Sequence, residues 1–155
     1  MRIERIEGYL NSGKEEELNK VIEEIKESIE KIDYYANTIF KGNLVNNPEE
    51  SKKTLSILTG YYMDLNPIAE LAYHKAESIE AKERNIYRMD VTKDKEGKFT
   101  TTDNEQSKII SREKAIIYKR IANIVGSYRE DCKVAIGSLQ SILKSEKREY
   151  NSQGE

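Results

Sequence analysis

Between residues 14 and 41, apolar side chains recur as Leu18, Ile22, Ile25, Ile29, Ile32, Ala36 and Ile39, in an unbroken alternation of steps of four and three. A spacing that averages about 3.5 residues keeps one narrow stripe of a helix turned toward a partner, so this stretch predicts a coiled-coil-like helix. Its limits are marked as well. Asn11-Ser12-Gly13 precedes it, Glu15, Glu16 and Glu17 put negative charge at the positive end of the helix dipole, and Lys41-Gly42-Asn43 closes it. The first residues of the chain are expected to fray.

A second helix is predicted from Asn47, a candidate N-cap, and Pro48, which suits a first helical position because its missing N–H has no partner to lose there. Its stripe reads Leu55, Leu58, Tyr62, Leu65, Ala69, Ala72, Ala76 and Ile79, with Glu83 interrupting before Ile86. Pro67 lies inside it, at a cost of about 3 kcal/mol for an interior proline. The apolar phase resumes on both sides, which predicts a kink near Leu65 and no chain reversal. The run "DVTKDKEGKFTTTDN", residues 90–104, has no helical stripe and predicts a polar loop or a small β-hairpin. From residue 105 to residue 150 a third helical pattern follows, through Ile110, Ile117, Ile121, Ile124, Tyr128, Cys132, Ala135, Leu139 and Ile142. Gly126 and Gly137 interrupt it, as points of close packing or bends, and residues 151–155 are expected to fray.

The expected fold is all-α. It has an N-terminal helical hairpin over residues 1–89, the polar insert over residues 90–104, and a C-terminal helical region over residues 105–155. With 37% hydrophobic residues, no Trp and a mean hydropathy of -0.78, the chain suits long helices sharing narrow seams better than a deep globular core. That predicts self-association, and the final stripe of Tyr128, Cys132, Ala135, Leu139 and Ile142 is the expected oligomerisation surface. No apolar run approaches the twenty residues of a membrane span, no signal-peptide pattern is present, and the single Cys132 has no disulfide partner in the chain. A cytoplasmic protein without membrane contact is expected.

Chemistry-bearing motifs are sparse. The chain contains no GxSxG, no phosphate-cradling GxxxxGK[ST] and no HExxH, so no catalytic residue, metal or cofactor is assigned. Glu70, His74 and Glu77 share one side of a helix, but a lone His among scattered glutamates reads as a solvated surface. Cys132 falls on the apolar stripe beside Glu130 and Asp131, where packing is the expected role and a raised thiol pKa the expected chemistry.

Cations are the remaining signal. Lys82, Arg84 and Arg88 cluster with Tyr87 near the end of the second helix. Lys93, Lys95 and Lys98 lie in the insert with Phe99, and Lys108, Arg112, Lys114, Lys119 and Arg120 open the third helix. The first helix is acidic, so a net charge of -2 conceals a dipolar molecule. Charges that track phosphates, beside flat rings that stack on bases, are what a groove for single-stranded nucleic acid requires. Cations near a helix C-terminus also stabilise its dipole, and charge alone does not separate the two readings.

The run "EAKERNIY", with Ala81, Lys82 and Arg84, and the tail "YREDCKVAIGSLQSILKSEKREY" resemble the UvsY-like recombination mediators of T-even-type phages. The resemblance covers residues 58–150; it departs in the long clean heptad of the first helix and in Glu83 between two cations. It implies a ring-like homo-oligomer in a phage-infected bacterial cell that binds single-stranded DNA, helps displace a single-strand-binding protein and assists loading of a RecA-like recombinase. Lys82, Arg84, Arg88, Tyr87, Lys108 and Arg112 are the expected nucleic-acid contacts. The alternative is a helical phage assembly or inhibitory protein that binds another protein and no nucleic acid.

Overall fold

A computed structural model of the chain describes residues 2–89, 91–93, 99–101 and 104–152, with side chains over residues 2–86 and 106–150. The fold is all-α, and the described residues hold four helices: α1 (Arg2–Ser12), α2 (Glu15–Phe40), α3 (Pro48–Met89) and α4 (Asn104–Ser152). Two three-residue strands, β1 (Val91–Lys93) and β2 (Phe99–Thr101), pair antiparallel between α3 and α4, with Thr92 opposite Thr100.

α2 matches its sequence signals to within a residue at either end. Its last turn closes on Gly42 at φ 72, where a side chain would be strained; Gly42 N–H donates to the Ile39 carbonyl (2.9 Å) and Asn43 N–H to that of Thr38 (3.3 Å). These two bonds satisfy carbonyls that the helix end would otherwise leave open. α3 begins at Pro48, and the Asn47 side chain accepts the Glu50 N–H at 3.3 Å. α3 also runs through Pro67 to Met89 without reversing.

Cross-links between α3 and α4 set their direction. Cys132 Sγ donates to the Leu58 carbonyl (3.2 Å), Arg129 pairs with Glu70 (2.7 Å), and Lys119 pairs with Glu80. As the number rises along α3 it falls along α4, so the two form a long antiparallel hairpin. This pairing dominates the fold, in place of the expected hairpin within residues 1–89. α2 lies mainly along α4. Leu18, Ile25, Ile32 and Ile39 are buried on it as the stripe predicts, together with Val21 and Ser28, which the stripe omits.

The N-terminus corrects an expectation, because the first residues, expected to fray, belong to α1 from Arg2 onward. Ile6 and Leu10, one turn apart, are fully buried, and the Arg2 guanidinium reaches Asp64, the Ser28 hydroxyl and the Glu24 carbonyl. Tertiary partners hold this short helix; eleven polar-rich residues would not be stable alone. At its other end Lys75 donates to Asn11 (2.7 Å), and Gly13, at φ 70, lies beside the Tyr118 hydroxyl.

The α1–α2 turn therefore sits at the level of Lys75 and Tyr118. α1 ends there and α2 departs the other way, so α3 and α4 continue beyond it as a two-helix stalk of residues 76–89 and 104–117, about 20 Å long at 1.5 Å per residue. The body is filled by large side chains such as Ile25, Leu58, Leu65 and Leu139. The fully buried positions of the stalk hold small ones, Ala76, Ala115, Ser107 and Ser111, with Ile79 and Ile117 half-buried beside them. Short side chains let the two backbones approach closely.

Candidate nucleic-acid interface

At the base of the stalk the antiparallel register brings cations from distant parts of the sequence onto one carboxylate. Glu80 and Arg84 lie one turn apart on α3, Arg112 and Lys119 two turns apart on α4, and all three cations reach Glu80. Arg84 Nη2 approaches Oε1 at 2.9 Å, Arg112 Nε approaches the same oxygen at 3.9 Å, and Lys119 Nζ bonds to Oε2. The Glu80 side chain is only 15% exposed. The hydrogen bond from Lys119 holds its carboxyl below the usual range; partial burial opposes this, and the charges of Lys119, Arg84 and Arg112 add to it.

Three cations on one anion leave the cluster net positive. Arg84 Nε is buried and has no hydrogen-bond partner among the described residues, so the guanidinium is under-used as a donor. Exposed Arg120 follows Lys119 in the chain, whereas exposed Lys114, two residues past Arg112, lies on another face of α4. α2, in contrast, carries eight carboxylates against three lysines. Residues 76–89 and 104–117 carry six Lys and Arg against five Glu, so the stalk as a whole is close to neutral and the positive excess is local to the Glu80 cluster.

The structure brings together Arg84 and Arg112 of the expected contacts. Lys82 points elsewhere, since two residues past Glu80 is more than half a turn of helix. Lys108 lies one turn before Arg112, half-buried and engaged within the chain. The side chains of Tyr87, Arg88, Lys93 and Phe99, and all of Lys95 and Lys98, fall outside the described residues. Glu80 and the direct role of Lys119 were not foreseen. The i, i+4 spacing of Glu80 and Arg84 was a usable signal, but Lys119 requires the helix register.

The expected oligomerisation surface is corrected. Cys132, Ala135 and Leu139 are at most 1% exposed, and Tyr128 is half-buried against the same core. The chain's own helices cover these residues, so they present no face to a second copy. Ile142 is half-buried and lines a shallow groove with Val45 and Glu146. Burial, far more than acidic neighbours, pushes the Cys132 thiol up to about 11; Asp131 is the smallest contributor. Glu70 pairs with Arg129 and lies 3.9 Å from His74, an exposed arrangement. Gly126 and Gly137 approach nothing, so neither marks close packing. No helix among the described residues is long and apolar enough to cross a membrane.

Comparison with protein-family models, with curated proteins and with solved structures finds no match.

Proposed function

We propose that this chain is a non-enzymatic protein that binds single-stranded DNA through the cationic cluster at the base of its stalk, in the manner of a recombination mediator that assists a RecA-like recombinase. The observation that supports this reading is the convergence on Glu80 of Arg84, Arg112 and Lys119 at the base of the two-helix stalk. A flexible polyanion meets there a surface where positive charge exceeds its internal neutralisation, and each phosphate contact releases counterions. The groove lined by Glu77, Glu80, Ala81 and Arg84 is open to solvent, which favours contacts to the backbone over sequence readout.

Titration of labelled oligo-dT tests this. Affinity should fall steeply as salt rises, and the double variant K82A/R84A should bind more weakly with a flatter salt dependence. Its helix content should be unchanged. Binding that ignores salt, or a double variant indistinguishable from the parent, would remove the assignment.

A second reading has its own observation. At the opposite end of the molecule Tyr150 (84% exposed) lines a groove with Pro48 and Leu143, and Phe40 (71%) also stands in solvent, apolar features suited to a protein partner. If the chain acts only there, the oligo-dT titration shows no binding at low salt.

A further inference from the structure

We infer that the open groove between α3 and α4 at Gly126 is a subsite for one unpaired base of the strand whose phosphates meet the Glu80 cluster, an inference that rests on the DNA-binding reading above. The groove measures about 450 Å³, room enough for a nucleobase. It continues the surface that holds the cluster. On α3, Glu70, Tyr73, Glu77 and Glu80 follow at steps of three, four and three; on α4, Lys119, Asn123, Gly126 and Glu130 follow at steps of four, three and four. Each set lies along one face of its helix. Asn123 is one turn, about 6 Å, beyond Lys119, so a phosphate held by Lys119 leaves its base within reach of the groove.

The lining suits a flat, neutral ring. Ala69, Ala122 and Gly126 keep it shallow and smooth, and a Cβ at Gly126 would meet nothing within 4 Å. Glycine weakens a helix relative to alanine, and no neighbouring element of the chain uses the space it leaves; a ligand lying close to the backbone does. On the α3 side stands Tyr73, 53% exposed, its hydroxyl bonded to Glu77. An aromatic ring is thus held at the edge of the groove, where stacking accepts any base. On the α4 side Asn123 and Ser127 are exposed and make no hydrogen bond within the chain among the described residues. Both donate and accept, so they can meet the polar edge of a base. Glu70 and Glu130 also line the groove, but Arg129 bonds to both, at 2.7 and 3.4 Å, and Lys133 lies 3.5 Å from Glu130. Two cations offset two carboxylates there. Such a wall admits a neutral base more readily than a phosphate, which sets the phosphate at Lys119 and the base at Tyr73.

The test compares labelled oligo-dT with a strand of the same length whose units are abasic, so that the phosphates are equal in number. At low salt the parent should bind the abasic strand about fivefold or more less tightly, the loss expected for one stacked base. Y73A, which removes the ring, and G126L, which fills the groove, should each weaken oligo-dT binding by a similar factor. Both should leave binding of the abasic strand unchanged and keep their helix content by circular dichroism, and Y73F, which retains the ring, should match the parent. A parent that binds the two strands alike overturns the subsite and leaves the DNA-binding reading standing. Variants that weaken both strands equally do the same. A parent that binds neither strand overturns the DNA-binding reading and the subsite with it.

Discussion

Replacing Glu80 by Gln, which keeps the shape of the side chain and removes its charge, should loosen the stalk and strengthen its hold on a polyanion. The stability cost follows from exposure: Arg84, Lys119 and Arg112 are 34%, 42% and 64% exposed, so each pair is screened and contributes about 0.2–1 kcal/mol. Three pairs sharing one carboxylate do not add fully, which sets the loss at about 1–2 kcal/mol and the drop in Tm at about 2–8 °C. Because the Glu80 carboxyl titrates below its ordinary value in the folded chain, this contribution is present above the unfolded pKa and disappears as pH falls through the folded one. The parent should therefore lose its advantage over E80Q in acid. Binding moves the other way. Each cation released to meet a phosphate steepens the slope of log affinity against log salt by about 0.7 for a single strand, which amounts to about 2.6-fold extra sensitivity over a fourfold change in salt. Fluorescence anisotropy with labelled oligo-dT at two salt concentrations measures both effects. A folded E80Q variant whose affinity and salt slope match the parent would refute the idea that Glu80 holds these cations in reserve.

Leu139→Ala should destabilise the fold by about 2–5 kcal/mol, as for other fully buried leucines; if denaturant unfolding were unchanged and only the oligomer mass fell, Leu139 would belong to an intermolecular surface after all. Gly137→Ala, at an exposed helical position with open space around it, should raise stability by up to about 1 kcal/mol in thermal denaturation. Gly13→Ala should lower it, because φ 70 strains a side chain. The Cys132 thiol, raised to about 11, should resist thiol reagents at neutral pH until the chain unfolds. Its raised pKa adds stability that is complete below the unfolded thiol pKa and declines as pH climbs toward 11; fast labelling at neutral pH would contradict its burial.

What could be read in advance depended on whether a signal is local. The limits of α2 and α3 come from Gly42, Asn47 and Pro48, each acting within a turn of itself, and these were legible. α1 was not, because its two buried positions, Ile6 and Leu10, are too few for a periodic signal and Arg2 finds its partners on α2 and α3. The stripe through Cys132 and Leu139 was seen but given the wrong partner. An apolar stripe specifies that a helix must be covered, not which helix covers it, and α3, α2 and a second copy all satisfy the pattern. Glu80 escaped for a related reason: among many glutamates, only the register of α3 on α4 distinguishes one that meets three cations.

The same register links binding to the mechanics of the stalk. Ala76, Ala115, Ser107 and Ser111 bury little apolar area compared with Ile25, Leu58 or Leu139, so burial holds the stalk far less firmly than the body. Local stability follows such differences, and the stalk should open at lower free energy than the four-helix level beneath it. The Glu80 cluster is then part of what joins α3 to α4 there, since Arg112 and Lys119 of α4 both reach across to it. A polyanion that draws Arg112 and Lys119 away from Glu80 competes with the contact that holds the helices together. Binding by this route carries a structural cost, repaid only if several phosphates are engaged at once. That makes a stalk of this design selective for a long flexible strand over a single small anion.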